Sequence, residues 1–366
     1  MPVKRVLTVM IVNNVRSDII CDTNSKISWI LRQNLQHNSV DADTTSSPAF
    51  LLDPTQIYLS RAASRGIAGA DTFTVDTNLE GKFQTGAVEH QFLLGLDYLN
   101  LDDSYKFASN IYEGRFDLYN PVYGQPAPNL IPRIDYQMER RQLGLYAQDQ
   151  MRWNDWIVTA GLRHDWVDAD STSNVAGPYN ADEKAFTDRI GLTYLFDNGV
   201  TPHVSSSTSF DPIDGVSATG GALKPLEGEQ IEAGIKYESS DERSFLTFSA
   251  PNPDPTGTGL FQVGAARVKG LEIEVNSELS DSLNLIASYT YTHSEIAKAN
   301  PGQEALLGNQ LVMVPDHQAS IWLDYTMQDG PLAWLDSVEA CVIRVNPMAM
   351  PPMNSRLVVR CLLTRR

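Results

Sequence analysis

Histidines and carboxylates are the residues from which a metal centre or a general acid and base would be built, and the chain has six His beside 45 Asp and Glu. His37, His90, His164, His203, His293 and His317 are scattered, with no H-E-x-x-H and no i, i+4 pair to put two imidazoles on one helix face. They read as polar strand residues rather than ligands. "GVSATGG" (215–221) is not the G-x-S-x-G of a nucleophile elbow, and no phosphate-cradling Walker loop occurs. The acidic runs "VDADST" (167–172) and "DPIDG" (211–215) lack the ligand spacing of a calcium loop. No catalytic constellation, resident cofactor or metal is expected, and the chain reads as non-enzymatic. One segment has ligand-contact chemistry. In "NIYEGRFDLYNPVYGQPAPNL" (110–130), Tyr112, Arg115, Phe116, Tyr119 and Tyr123 offer aromatic faces, phenol hydroxyls and one guanidinium.

The elements that would position that loop are strands. In residues 141–168, Val158, Ala160, Leu162 and Trp166 share one face while Thr159, Gly161, Arg163 and Asp165 share the other, which is period two. Leu143, Leu145 and Ala147 oppose Tyr146, Gln148 and Gln150 in the same way, and Asn154-Asp155 supplies turn chemistry between Trp153 and Trp156. The pattern recurs along the chain: Phe92, Leu94, Leu96 and Tyr98; Ile231, Ala233 and Ile235 against Gln230, Glu232 and Gly234; Leu271, Ile273 and Val275 against Glu272 and Glu274. Leu283, Leu285, Ala287, Tyr289 and Tyr291 continue it, as do Ala319, Ile321, Leu323 and Tyr325.

These runs are about ten residues or longer, the length a tilted strand needs to cross a bilayer. Short corners alternate with long polar stretches near 100–136, 171–182, 212–226, 250–261 and 295–315, the asymmetry of a transmembrane β-barrel. The polar faces carry Glu, Lys, Arg and Gln, and aromatics gather at strand ends, where a membrane girdle lies. Alternation is the same when a sheet is turned inside out, so a soluble sandwich or jelly roll that binds a ligand stays open as the alternative.

The formal charge is −17, and no basic cluster accompanies aromatics, so nucleic acid is not an expected partner. The acidic excess lies in the middle. Residues 338–366 carry five Arg against Glu339, and residues 1–20 carry Lys4, Arg5 and Arg16 against Asp18. Cys21, Cys341 and Cys361 offer no disulfide framework and no C-x-x-C pair. "VLTVMIV" follows Lys4-Arg5 but runs into Asn13-Asn14 rather than a small-residue cleavage site, so no clear signal peptide is read. No stretch of 18 apolar residues exists, which excludes spanning helices but not spanning strands.

Residues 205–237 carry a resemblance to a known family. "SSSTSFDPIDG" followed by "LKPLEGEQIEAGIKY" resembles the barrel of TonB-dependent ferric-siderophore receptors, with an S-x-S-F-x-P loop start and then L-K-P-E-x-G-x-Q-x-E-x-G-x-K-Y. The matching positions are Ser207, Ser209, Phe210, Pro212, Leu223, Lys224, Pro225, Gly228, Gln230, Glu232, Gly234, Lys236 and Tyr237, while Leu226 stands where the family usually has Glu. "ARVKGLEIEV" (266–275), with Gly270, Glu272 and Glu274, is similar to the family's R-S-K/R-G-L/I-E-L/I-E strand, and the 141–168 hairpin is similar to its G-x-Y-x-Q-D-Q…G-x-R-x-D hairpin.

The resemblance implies an all-β, antiparallel transmembrane barrel in the outer membrane of a Gram-negative bacterium. Its partners would be outer-membrane lipid and a ferric siderophore of the hydroxamate kind as ligand, with the 110–130 aromatics among its contacts. TonB is the partner of intact members. The resemblance runs from about 27 to 335, leaving 1–26 as a non-family segment and 336–366 as an aberrant tail, both expected to be irregular. Room exists for about 13 or 14 strands where members have about 22, and no plug or TonB-contacting box is recognisable. The expectation is therefore a partial barrel that is not obliged to close and cannot carry out energised uptake alone. "SFLTFSA" runs directly into "PNPDPTGTGLFQVGAA", which implies interrupted pairing near 245–262.

Overall fold

A computed structural model describes residues 9–22, 28–52, 57–112, 116–124, 126–175, 177–215, 223–239, 244–255, 264–299, 302–312, 314–326, 336–345 and 357–365. Of these, 9–22, 28, 49–52, 244–255, 336–345 and 357–365 are described by backbone only. The described chain forms β1 (Val9–Asp22), β2 (Ser28–Ser46), β3 (Ala49–Leu52), β4 (Tyr58–Thr85), β5 (Val88–Ile111) and β6 (Phe116–Asp117). There follow β7 (Ile131–Trp153), β8 (Trp156–Ser173), β9 (Tyr179–Tyr194), β10 (Val200–Asp211), β11 (Leu226–Glu238) and β12 (Ser244–Pro255). The last are β13 (Ala265–Ser280), β14 (Leu283–Lys298), β15 (His317–Thr326), β16 (Asp336–Val345) and β17 (Leu357–Arg365), with one 3₁₀ turn at Glu304–Leu306.

All long strands pair antiparallel with their neighbours in chain order, from β1–β2 through β2–β4, β4–β5 and β5–β7 to β16–β17. The short β3 and β6 both lie along the start of β4. Among the described residues no pairing joins β17 back to β1. The sheet holds 17 strands rather than 13 or 14; β2 to β15 fill the stretch that carries the sequence motifs.

The two ends correct the expectation of irregular termini. β1 pairs with β2 over fourteen residues, and β16 and β17 extend the other edge. An exposed strand edge offers a row of N–H and C=O groups that any extended segment can satisfy without alternating side chains, and side-chain pattern is all that the sequence reading used. Over 244–255, which takes in the described part of 245–262, the pairing is asymmetric. β12 pairs with β11 as far as Pro255 but with β13 only from Ser244 to Ser249. Pro251, Pro253 and Pro255 remove the N–H from alternate residues, which share one strand edge, so one ladder ends where they begin.

The polar face is the concave one, because its side chains reach over intervening strands. Arg163 on β8 donates to Asp97 on β5 at 2.5 and 3.0 Å, passing over Gly144 of β7, and Tyr146 on β7 donates to Asp76 on β4 at 2.7 Å, passing over Gly95 of β5. Glycine is needed at both crossings: a Cβ on Gly144 would lie 2.2 Å from the Arg163 guanidinium, and one on Gly95 would lie 2.1 Å from the Tyr146 ring. Arg32 and Glu80 form another concave-face pair.

The apolar face points outward and is exposed, with Leu94, Leu96, Leu145, Leu162, Phe186 and Ile190 uncovered. Trp153, Trp156 and Tyr194 sit side by side at the short-turn end of this face, and Tyr98, Leu143 and Trp166 sit side by side farther up. From residue 156 to residue 166 the strand rises about 33 Å, or about 25 Å along the axis at a tilt of about 40°. That is the height of a lipid-facing band between two aromatic girdles.

Candidate functional site at the mouth of the concave face

The long connections gather at one end of the sheet, and there the concave face holds an unusual dry patch. Met138 on β7, Val167, Ala169 and Ser171 on β8, and Tyr179 at the start of β9 are all buried, Val167 at 2% exposure being the most enclosed. A bare concave wall would leave these side chains wet. Residues 212–215 and 223, on either side of the β10–β11 connection, meet this patch. Gly215 N–H donates to Tyr179 Oη at 2.9 Å, Leu223 N–H donates to the Gly215 carbonyl at 3.0 Å, and Leu223 is itself buried. Arg140 Nη1 on β7 donates to Asp214 Oδ2 at 2.7 Å, spanning β8, β9 and β10. Tyr179 Oη also lies 3.8 Å from Met138 Sδ.

Burial pushes the Asp214 carboxyl up from its ordinary range, Arg140 opposes that shift, and the nearby Asp103 and Asp211 charges add to it. The seated segment therefore holds the Asp214 proton more tightly than an unseated one does. Seating is stronger below the raised pKa and weakens as pH climbs through the window above the usual carboxylate value. Arg140→Ala removes a partly buried charged hydrogen bond, so the segment should unseat at a cost of about 1.5–3 kcal/mol. The expected result is faster proteolytic cleavage between 212 and 225, whereas Asp214→Asn should flatten the pH dependence of that cleavage. Cleavage unchanged in Arg140→Ala would remove the latch role.

The 110–130 residues separate into two kinds. Tyr112 is buried, and the Arg61 guanidinium lies over its ring at 4.8 Å and over the Phe116 ring at 4.4 Å, while β6 ties Phe116 to Leu59. These two are packing residues. Tyr119 and Tyr123 are 82% and 70% exposed, with Tyr123 edge-on to Phe116 at 5.6 Å. Arg115 lies outside the described residues. A cavity of about 640 Å³ opens between Asn110–Tyr112 and Pro126–Asn129.

Most motif positions form wall, while Leu223 belongs to the mouth and Pro212, Lys224 and Pro225 flank it. Ser209 and Phe210 pair with Gly228 and Glu227 in the β10–β11 hairpin, Pro212 follows β10, and Lys224 and Pro225 lead into β11. Gln230, Glu232 and Gly234 on β11 and Gly270, Glu272 and Glu274 on β13 lie on the concave face, where Glu232 Oε1 is 3.3 Å from His203 Nε2. The mouth residues Arg140, Tyr136, Tyr179 and Asp214 were not singled out by sequence reasoning. Arg140 and Asp214 are 74 positions apart, and only the strand register brings them together. The described residues contain no cluster of His, Cys, Asp and Glu able to hold a metal ion.

An antiparallel sheet with a polar concave wall, an exposed apolar band and long connections at one end defines the wall of a membrane β-barrel. Residues 13–346 match the family described as "TonB dependent receptor-like, beta-barrel", and the chain belongs to that family. The match extends beyond 27–335 at both ends. The chain is 35% identical over 345 residues to the ferrichrome outer membrane transporter/phage receptor of Escherichia coli K12, covering 84% of this chain and 45% of that protein. It is 34% identical over 330 residues to the ferrioxamine B receptor of Salmonella typhimurium, covering 84% and 44%. The chain thus spans less than half the length of these relatives. Among solved structures, the siderophore receptor PiuA of Acinetobacter baumannii superposes with a TM-score of 0.77 at 21% identity, over 93% of this chain and 55% of that one, which establishes the fold.

Proposed function

We propose that this chain forms barrel wall of an outer-membrane ferric-siderophore receptor and that its mouth contributes contacts to the chelate. The observation that carries this reading is the pairing of Tyr105 with Tyr136 on the concave face at the long-loop end, where neither ring is buried. Phenol rings over a ferric chelate combine apolar contact with hydrogen bonding, as a partly apolar ligand requires. Relatives named for ferrichrome and ferrioxamine support the hydroxamate class. Outer-membrane lipid is the partner of the exposed band, and TonB is the energy-coupling partner of the complete receptor. Binding itself needs no catalytic step.

The soluble alternative expects the apolar faces to point inward. Here they point outward, which in a soluble protein would be a large adhesive surface.

The test is to export the full chain in a Gram-negative host and to titrate the outer-membrane fraction with a ferric hydroxamate chelate, following quenching of intrinsic fluorescence. Tyr105→Ala with Tyr136→Ala should weaken binding about tenfold, the weight of about 1.4 kcal/mol. Unchanged affinity in a folded double variant removes the mouth from the ligand site, and a soluble monomer removes the membrane reading.

A further inference from the structure

On the outward face at the short-turn end, three side chains that the receptor reading leaves unused stand in line. Thr85 closes β4, His90 lies two residues into the returning strand beyond Val88, and Asp149 is on β7. His90 Nδ1 is 2.7 Å from Asp149 Oδ2, and His90 Nε2 is 2.7 Å from Thr85 Oγ1. The imidazole is stacked flat on Phe83, with ring centroids 4.7 Å apart and planes 7° apart, and Phe83 in turn stacks on Trp29. The ring is thus held by packing on its face and by a hydrogen bond at each nitrogen.

Those two bonds fix the tautomer. In the neutral imidazole, the carboxylate oxygen at Nδ1 places the single ring proton on Nδ1, which donates it to Asp149. Nε2 is left with its lone pair, and the Thr85 hydroxyl must donate to it. This is the order of groups that activates a hydroxyl nucleophile: a base on the hydroxyl and an orienting acid behind the base. The site is also open. Thr85 is exposed, and a Cβ built on the neighbouring Gly86, at φ +63°, would meet nothing within 4 Å.

We propose that Thr85, His90 and Asp149 form an acyl-ester hydrolase site whose substrate is the ester of a glycerophospholipid in the adjoining leaflet. Thr85 and His90 would be catalytic and Asp149 a positioning residue. The class of substrate follows from depth. The trio lies beside the Trp153, Trp156 and Tyr194 row, and an aromatic girdle marks the level where headgroups meet acyl chains, which is where the ester carbonyls are. In the first step Thr85 Oγ bonds to the carbonyl carbon while its proton passes to His90 Nε2. The ester C–O bond then breaks, and the proton goes to the departing lysophospholipid alkoxide. In the second step His90 takes a proton from water, the hydroxide bonds to the acyl carbon, the bond to Thr85 Oγ breaks as His90 returns the proton to that oxygen, and a fatty acid leaves. The proposal goes beyond ferric-chelate binding and does not depend on it.

The experiment uses the full chain in detergent micelles with a phosphatidylcholine bearing a fluorescent acyl chain, and it reads fatty-acid release. Thr85→Ser should keep the activity, Thr85→Ala should fall to the protein-free rate, and His90→Gln should fall about 10² to 10⁴ fold, the usual weight of a positioned base. Incubation with a p-nitrophenyl acyl ester should leave the acyl group on the peptide containing Thr85. Heat-modifiable migration on a gel establishes that each variant is folded. If the folded wild type releases no fatty acid, or Thr85→Ala releases it at the wild-type rate, the proposal is overturned. The trio then serves only to satisfy polar groups at the membrane edge.

Discussion

Replacing Arg163 with Ala is expected to lower the unfolding free energy by about 3–5 kcal/mol, the cost of stranding a buried partner charge. Arg163 is the centre of the concave-face network. Its Nη atoms donate to Asp97 at 2.5 and 3.0 Å, and Nε and Nη2 donate to Asp165 at 2.8 and 2.6 Å. The Asp165 side chain is only 4% exposed, and its remaining side-chain donor among the described residues is the Gln142 amide at 2.9 Å. Without the guanidinium, two carboxylates on strands separated only by Gly144 would face each other with one neutral donor between them. Arg163→Lys should recover only part of the loss, since an ammonium cannot place two parallel bonds on each of two carboxylates. Adding Asp165→Asn to Arg163→Ala should recover more, by removing the charge that was stranded. The measurement is the urea midpoint in lipid vesicles, followed by tryptophan fluorescence. A midpoint for Arg163→Ala within about 0.5 kcal/mol of wild type would mean the network is solvated and contributes little, as exposed ion pairs do.

That network also marks where sequence reading stops. Period-two alternation and the Asn154-Asp155 corner are enough to fold residues 141–168 into the observed β7–β8 hairpin: Trp153 faces Trp156, and Asn154 sits at φ +51° as the turn requires. They also separate Arg163 and Asp165 from Leu162 and Trp166. They cannot say which side chain on a distant strand Arg163 meets, because Asp97 is 66 positions away and the pair depends on the register of β5, β7 and β8 together. Thr85, His90 and Asp149 were invisible for the same reason, with 59 positions between the last two. The aromatic-rich 110–130 stretch was legible as a loop, but not its division into packed Tyr112 and Phe116 and exposed Tyr119 and Tyr123. That division is set by Arg61, which no local pattern connects to it. The strands at both ends were missed because alternation is a property of side chains and strand pairing one of backbone.

The direction in which the two faces point can be tested with one cation moved by one residue. Ala287 and Ser288 are consecutive on β14. Ala287 faces outward opposite Val275 and Ile321, whereas Ser288 faces the concave side opposite Glu274 and Ser320. Arginine at a lipid-facing position near the middle of a barrel strand costs about 2–4 kcal/mol, so Ala287→Arg should lower the unfolding free energy by that amount and reduce the heat-modifiable fraction. Ser288→Arg gives up the hydroxyl bond to Ser320 at 2.7 Å, worth about 1 kcal/mol, but places its guanidinium opposite the Glu274 carboxylate in a wet wall. Its net effect should stay within about 1 kcal/mol of wild type. In a soluble sandwich the order would be the same, because the cation at 287 would enter a core while 288 faced water, but the protein would fold without detergent. The pair is therefore read in two settings. A destabilised Ala287→Arg that still requires lipid or detergent to fold places the apolar face against the bilayer, and a destabilised Ala287→Arg in a protein that is monomeric in plain buffer places it in a core. Equal effects at 287 and 288 would mean that neither face is shielded from water and that the sheet does not sit in a membrane.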